Sequence, residues 1–311
     1  MDLVLTLTLP FFAVVGLGLV AGRRRMFDAA GVRSLNVFIF YFSMPALIVR
    51  ALGDQPIGAL LDGRFFLGWG VAGVAVFGLA AVIARLVFAS PLGHMAVYGQ
   101  AASVGNVGFL GLPLVLAAFG ERGAGPIAQA LVVDLVIMLP LSIALLEASR
   151  GAESRRAAVR QIIVGVVANP FLIAIVLGIA VSAVGFGLPG PLDRFLAFLG
   201  AAAGPAALFS LGVSLSGRRL EGDLSAIALM TALKLVVHPL AVLTGLTLVG
   251  VSSDTRAIGV VIAAKPIAGN VFVIAQAYDT LPRRASAAVL LSTVLAVVTV
   301  AVAIGWAGAD L

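Results

Sequence analysis

Residues 263–270 read Ala263-Ala264-Lys265-Pro266-Ile267-Ala268-Gly269-Asn270. The stretch lies in the middle of an apolar run that extends from roughly 256 to 279. A cation at membrane depth costs from about 2.5 kcal/mol upward. Here the charge is followed at once by a helix breaker, and then by a glycine and an amide. That combination describes a transmembrane helix that breaks at its centre and lines a site for a charged solute, anionic by complement to the lysine. The other lysine, Lys234, also sits inside an apolar run, and every remaining basic residue is an arginine.

Composition fixes the setting. Of the 311 residues, 61% are hydrophobic and 11% charged, and the mean hydropathy is +1.16. Soluble domains run near 45–50% apolar and about 25% charged, so this is an integral membrane protein with no room for a sizeable soluble domain. The chain has no cysteine, which excludes disulfides, thiolate metal sites and cysteine nucleophiles. Two histidines, His94 and His238, make a metal cluster an unfavourable reading, and no cofactor is expected. The net charge of +6 is spread over arginines that alternate between loops, so it forms no nucleic-acid-binding face. The start, Met1-Asp2-Leu3, lacks the basic region of a cleaved signal, so the first apolar run reads as a retained span.

Runs of about 20 apolar residues cross the hydrocarbon core. Ten such spans are expected, at 3–21, 35–52, 65–89, 95–118, 126–148, 161–184, 192–216, 224–250, 256–279 and 285–307. With the first residue outside, thirteen arginines fall on the inward side and five on the outward side. The positive-inside rule then puts both termini on the non-cytoplasmic side of a plasma (inner) membrane. The basic connector Arg150–Arg160 divides the chain into residues 1–150 and 151–311, with five spans each.

An odd number of spans per half makes any repeat an inverted one. Pro10 and Pro170 are 160 residues apart, as are Pro45 and Pro205. Gly105-Asn106-Val107 in span 4 recurs as Gly269-Asn270-Val271 in span 9, at an offset of 164. Inverted repeats with paired interrupted helices mark secondary transporters, whose solute sits near the midplane where the breaks meet. Glycine permits unwound backbone, proline removes a donor, and freed amides and half-helix N-termini attract anions.

These segments carry a resemblance. The run Gly105-Asn106-Val107-Gly108-Phe109-Leu110-Gly111-Leu112-Pro113, the segment Leu233-Lys234-Leu235-Val236-Val237-His238-Pro239-Leu240, and Lys265-Pro266 through Asn270-Val271-Phe272 to Ala275-Gln276-Ala277-Tyr278 resemble the auxin efflux carrier family. Leu35-Asn36 through Pro45 and Asn169-Pro170 fit the same family. The resemblance implies an all-α fold of ten helices in a 5+5 inverted repeat, similar to the bile-acid sodium symporters, with helices 4 and 9 broken and crossing. It implies scaffold and transport subdomains that move in an elevator-like way, and a possible homodimer through the scaffold. Plant members export auxin, an aromatic monocarboxylate, and compact bacterial members are described as malonate or malate permeases. Carried over residue by residue, the crossover positions are Asn106 and Pro113 in span 4, and Pro266 and Asn270 in span 9. Lys265 departs from the pattern, in which an apolar residue often precedes the proline.

The candidate substrate-binding residues are therefore Gly105, Asn106, Gly108, Pro113, Lys265, Pro266, Gly269 and Asn270. Lys265 contacts a substrate carboxylate or replaces a coupling cation; the competing reading is a lysine snorkelling to the interface or paired structurally. Lys234 is a candidate charge partner of Asp134, the one carboxylate well inside a span. Asp134 is a candidate proton carrier or a salt-bridge partner. Asn106 and Asn270 donate to a carboxylate or cap half-helices. Gly108 and Gly111 suit close helix packing. Tyr41 and Ser43 line the cavity or pack, and His238 reads as a hydrogen-bonded core histidine. The function these residues favour is a secondary carrier of a small organic anion, with a malonate- or malate-like dicarboxylate preferred. An exporter of auxin-like aromatic monocarboxylates, and a sodium- or proton-coupled symporter of another organic acid, stand behind it. A channel, a transport-derived sensor and an intramembrane lipid enzyme are weaker readings. The last would need paired acids, a Ser/His pair or a metal set at depth. No Walker motif is present, so ATP hydrolysis is not expected.

Overall fold

Proline decides where these helices yield. It cannot donate to the carbonyl four residues back, and its ring crowds that carbonyl. The computed structural model describes residues 2–150 and 155–309. In it, helices loosen into a single π-type turn at Ile39–Ser43, Val107–Gly111, Asp134–Met138 and Leu233–Val237. Two residues beyond the end of each turn stands a proline: Pro45, Pro113, Pro140 and Pro239. Inserting one residue into the turn moves the orphaned carbonyl away from the ring, and such bulges are frequent at functional sites. Asp134 opens one of these turns and Lys234 lies in another. Both buried charges thus project from irregular helix.

Among the described residues helices joined by loops are the regular structure, without a strand. Among the described residues, six helices are long and apolar enough to cross a membrane: Ala29–Gly53, Gly63–Phe88, Val107–Arg150, Gly190–Ser216, Leu224–Leu248 and Pro282–Gly308. Val107–Arg150 has 44 residues, about twice the length of one crossing, and passes through a 3-10 turn at Gly120–Gly123. Leu9–Arg23 and Pro170–Val184 are shorter apolar helices. Spans 4 and 9 are interrupted as expected. Helix Leu92–Ser103 stops before the π turn at Val107, and span 9 divides into Ser253–Ala263 and Gly269–Ala277.

Span 6, expected over 161–184, is interrupted at its proline. It divides into Arg155–Val167 and Pro170–Val184. The residue before a proline is pushed out of the helical region. Asn169 occupies that position and caps the second helix, its Oδ1 accepting from the N–H of Phe171 at 2.9 Å and of Leu172 at 3.4 Å. The expected start at Met1 and residues 151–154 of the basic connector lie outside the described residues.

The chain forms two compact units that alternate along its length. One combines Met1–Asp62, Val107–Gln129 and Val167–Arg218; the other combines Gly63–Asn106, Ala130–Val166 and Arg219–Leu311. In the first unit, glycines bring helix Asp2–Arg23 against helix Ala203–Ser216. A Cβ on Gly18 would run into the Phe209 carbonyl, and one on Gly212 into the Val15 carbonyl. In the second, Gly68 and Gly245 face each other, and a Cβ on Gly245 would stand 2.7 Å from the Gly68 oxygen. Without a water-driven force between helices in lipid, close backbone approach of this kind supplies the packing energy.

Candidate functional site at the bridged helix breaks

The two breaks meet within the second unit. Gly105 and Ile267 pair as an isolated antiparallel bridge. The Asn106 amide donates to the Pro266 carbonyl at 2.8 Å, and the Ala268 amide to the Val104 carbonyl at 3.2 Å. The Ile267 amide donates to Ser292 Oγ at 3.1 Å. Non-helical backbone at membrane depth survives only where protein satisfies its polar groups, and these three bonds do that.

Helix Ser253–Ala263 ends at the bridge, leaving carbonyls that have no partner in their own helix. The Thr299 hydroxyl donates to Ala264 O at 2.9 Å. Lys234 Nζ donates to Ala263 O at 2.8 Å and lies 2.9 Å from His238 Nδ1. An ammonium has only donors, so His238 accepts at Nδ1 and carries its proton on Nε2. His238 is thereby a hydrogen-bonded core histidine, with its ring edge-on to Trp69 at 5.6 Å between centroids. Lys234 is fully buried.

Lys265 is also 0% exposed, which excludes snorkelling. Its Nζ has no hydrogen-bond partner among the described residues. Asp134 interacts electrostatically with both lysines and accepts a hydrogen bond from the Trp69 side chain. One carboxyl group therefore interacts with two lysine side chains. With all three ionised the cluster carries one positive charge in excess, and a buried charge without a partner is costly. Among the described residues, Asn270 Oδ1 is buried without a hydrogen-bond partner, as are both polar atoms of the Gln100 amide and Thr231 Oγ1. Of these unsatisfied atoms, Lys265 Nζ and Gln100 Nε2 are donors that an anion could engage, Thr231 Oγ1 can donate or accept, and the two amide oxygens are acceptors.

The structure brings together Gly105, Asn106, Pro266, Lys234, Lys265 and Asp134 in the second unit, and Gly269 and Asn270 form the first turn of helix Gly269–Ala277. Gly108 and Pro113 belong to the first unit. A Cβ on Gly108 would stand 2.7 Å from the Phe171 ring, and one on Gly204 would stand 3.1 Å from Pro113. Both positions therefore have packing partners there. Ser43 is buried and bonds within its own helix, to Ile39 O at 3.5 Å, while Tyr41 is 56% exposed. Sequence reasoning missed Trp69, Gln100, Thr231, Ser292 and Thr299. A signal existed for two of them. Gln100 is an amide five residues before Gly105 in an apolar helix, and Thr231 shares the spacing i, i+3, i+7 with Lys234 and His238.

An all-helical protein with helices long and apolar enough to cross a membrane, and with buried ionisable side chains beside paired helix breaks, has the features of a membrane transporter. The sequence agrees: residues 3–304 match the membrane transport protein family, that of the auxin efflux carriers, and the chain belongs to it. It is 32% identical over 296 residues to the "Putative malonate transporter" of Rhizobium meliloti (strain 1021), covering 94% of this chain and 92% of that one. It is 25% identical over 306 residues to the "Uncharacterized transporter YfdV" of Escherichia coli (strain K12), covering 94% and 93%. The family and these relatives are transporters, not enzymes.

Proposed function

We propose that this chain is a secondary carrier of small organic anions, carboxylates such as malonate or malate, and that the anion binds at the bridged breaks of spans 4 and 9. The observation that carries the reading is the Lys265 ammonium, fully buried and without a hydrogen-bond partner among the described residues. A substrate carboxylate completes its coordination. Asn106 and Asn270 orient the carboxylate, Gly105 and Gly269 admit it to the backbone, and Pro266 keeps the break open. Gly108 and Pro113 shape the departing half of span 4. The name of the R. meliloti relative supports a dicarboxylate. Ten spans form two inverted halves, 1–150 and 151–311, in the inner membrane with both termini outside, and a transport subdomain moves against a scaffold that also pairs two copies. Asp134 is the candidate proton carrier.

Counterflow in proteoliposomes tests this. Vesicles loaded with unlabelled malonate or malate should transiently accumulate the labelled acid, and vesicles loaded with neutral solutes should not. Absence of accumulation with every mono- and dicarboxylate, including aromatic acids, would remove the anion reading.

A further inference from the structure

The reading above leaves Lys234 without a task, since its ammonium is already engaged. Its position supplies one. Helix Ser253–Ala263 and helix Leu92–Ser103 both end at the bridge, and both end there with their carbonyl termini. Lys234 Nζ holds the Ala263 carbonyl at 2.8 Å. It also abuts the first residues beyond the other helix: a Cβ added to Gly105 would stand 3.1 Å from Nζ. Each helix C-terminus carries roughly half a negative charge. Two termini sum to about one, which is what a single ammonium neutralises, and the charge of Asp134, which acts on both lysines, is left to be balanced by Lys265. His238 Nδ1 takes a second ammonium proton and holds the group in place at 2.9 Å.

We propose that Lys234 is a tethered counter-cation for the two broken helices, occupying the position where a carrier without it would need a small inorganic cation. The inference rests on the anion-carrier reading for its transport consequence, but not for its structural one. Lys234 is then a positioning residue: it holds the backbone that contacts substrate without touching the substrate itself. The glycine at 105 follows from the same geometry, because any side chain there would press on the ammonium. The carrier that results moves its anion without sodium, potassium or any other inorganic cation at the crossover.

The test uses the full-length protein in two assays. In proteoliposomes, wild-type carboxylate counterflow should be the same in sodium and in choline media. Lys234→Ala should lose about tenfold or more of its activity in choline and regain a substantial part when sodium, ammonium or methylammonium is supplied. Lys234→Met, which fills the same space with an apolar chain, should lose activity and regain none. In detergent, thermal unfolding of Lys234→Ala should shift upward with added small cation, and wild type should not respond. A sodium requirement in the wild type overturns the proposal. So does full activity of Lys234→Met in choline, or a loss in Lys234→Ala that no small cation restores in either assay. The thermal assay needs no substrate. Failure of the anion reading would therefore appear as absent counterflow in wild type, with the cation-dependent thermal shift of Lys234→Ala intact.

Discussion

Lys265 and Lys234 are the same residue type and equally buried, and their surroundings give them different work. Lys234 spends its protons on a helix-end carbonyl and a histidine. Lys265 has no such partner among the described residues. A hydrogen bond to a charged group contributes about 1.5–3 kcal/mol, and about 1.4 kcal/mol is tenfold in affinity. Lys265→Met, which keeps the volume, should therefore raise the carboxylate concentration for half-maximal exchange by roughly ten- to hundredfold. Added sodium or methylammonium should leave that defect unchanged, unlike the loss in Lys234→Ala. Concentration dependence of exchange in proteoliposomes measures it, and a variant with wild-type apparent affinity would separate Lys265 from the substrate. Lys265 was legible in the sequence because a charge inside an apolar run is out of place by its chemistry alone. Its neighbours were not. Thr299 and Ser292 reach the breaks from 35 and 25 residues away. Their roles depend on how one helix is rotated against another, which residue type does not encode.

At the scale of the element, proline and glycine were readable but only partly interpretable. Their positions announced breaks in spans 4 and 9, and the breaks are there. The π turns before Pro45, Pro113, Pro140 and Pro239 were not foreseen, because proline's lost donor can be accommodated by a kink, a break or a widened turn. The division of span 6 had a local signature, an Asn-Pro pair, which was read as a family motif and not as a cap. Glycine's function in packing is clearest between helices Asp2–Arg23 and Ala203–Ser216. There Gly18 and Gly212 each face a carbonyl of the opposite backbone. Because the obstacle is backbone and not a flexible side-chain end, the helices must separate to admit a side chain. Gly212→Val should destabilise the protein by at least the 1–3 kcal/mol typical of overpacking, about, and Gly16→Val should be nearly neutral. A Cβ on Gly16 meets nothing within 4 Å. Unfolding temperatures of the two variants in the same detergent compare them directly, and equal values would show that this helix contact adds no stability.

For the whole molecule, two partitions of the chain coexist. The sequence suggests halves at 1–150 and 151–311, from proline spacing and the basic connector. The compact units instead interleave, and the chain passes from one to the other between Asn106 and Val107, inside the break of span 4. Packing partners set the units, and those are invisible to a reading along the chain. Charge, by contrast, is a sum over loops and survives errors in individual boundaries, so orientation is the global property that sequence predicts best. Thirteen arginines on the predicted inward side and five on the outward side lead to the prediction that both termini lie outside. The absence of cysteine makes the prediction simple to check, since any introduced thiol is the only one. Asp54 and Glu221 are both exposed and lie in loops of opposite predicted side. In intact cells, Asp54→Cys should react with a membrane-impermeant maleimide, and Glu221→Cys should react only after permeabilisation. Reversal of both would invert the orientation while leaving an odd number of crossings between the two positions. Labelling of both from the same side would require an even number, and the ten-span arrangement with its five-span halves would fall with it.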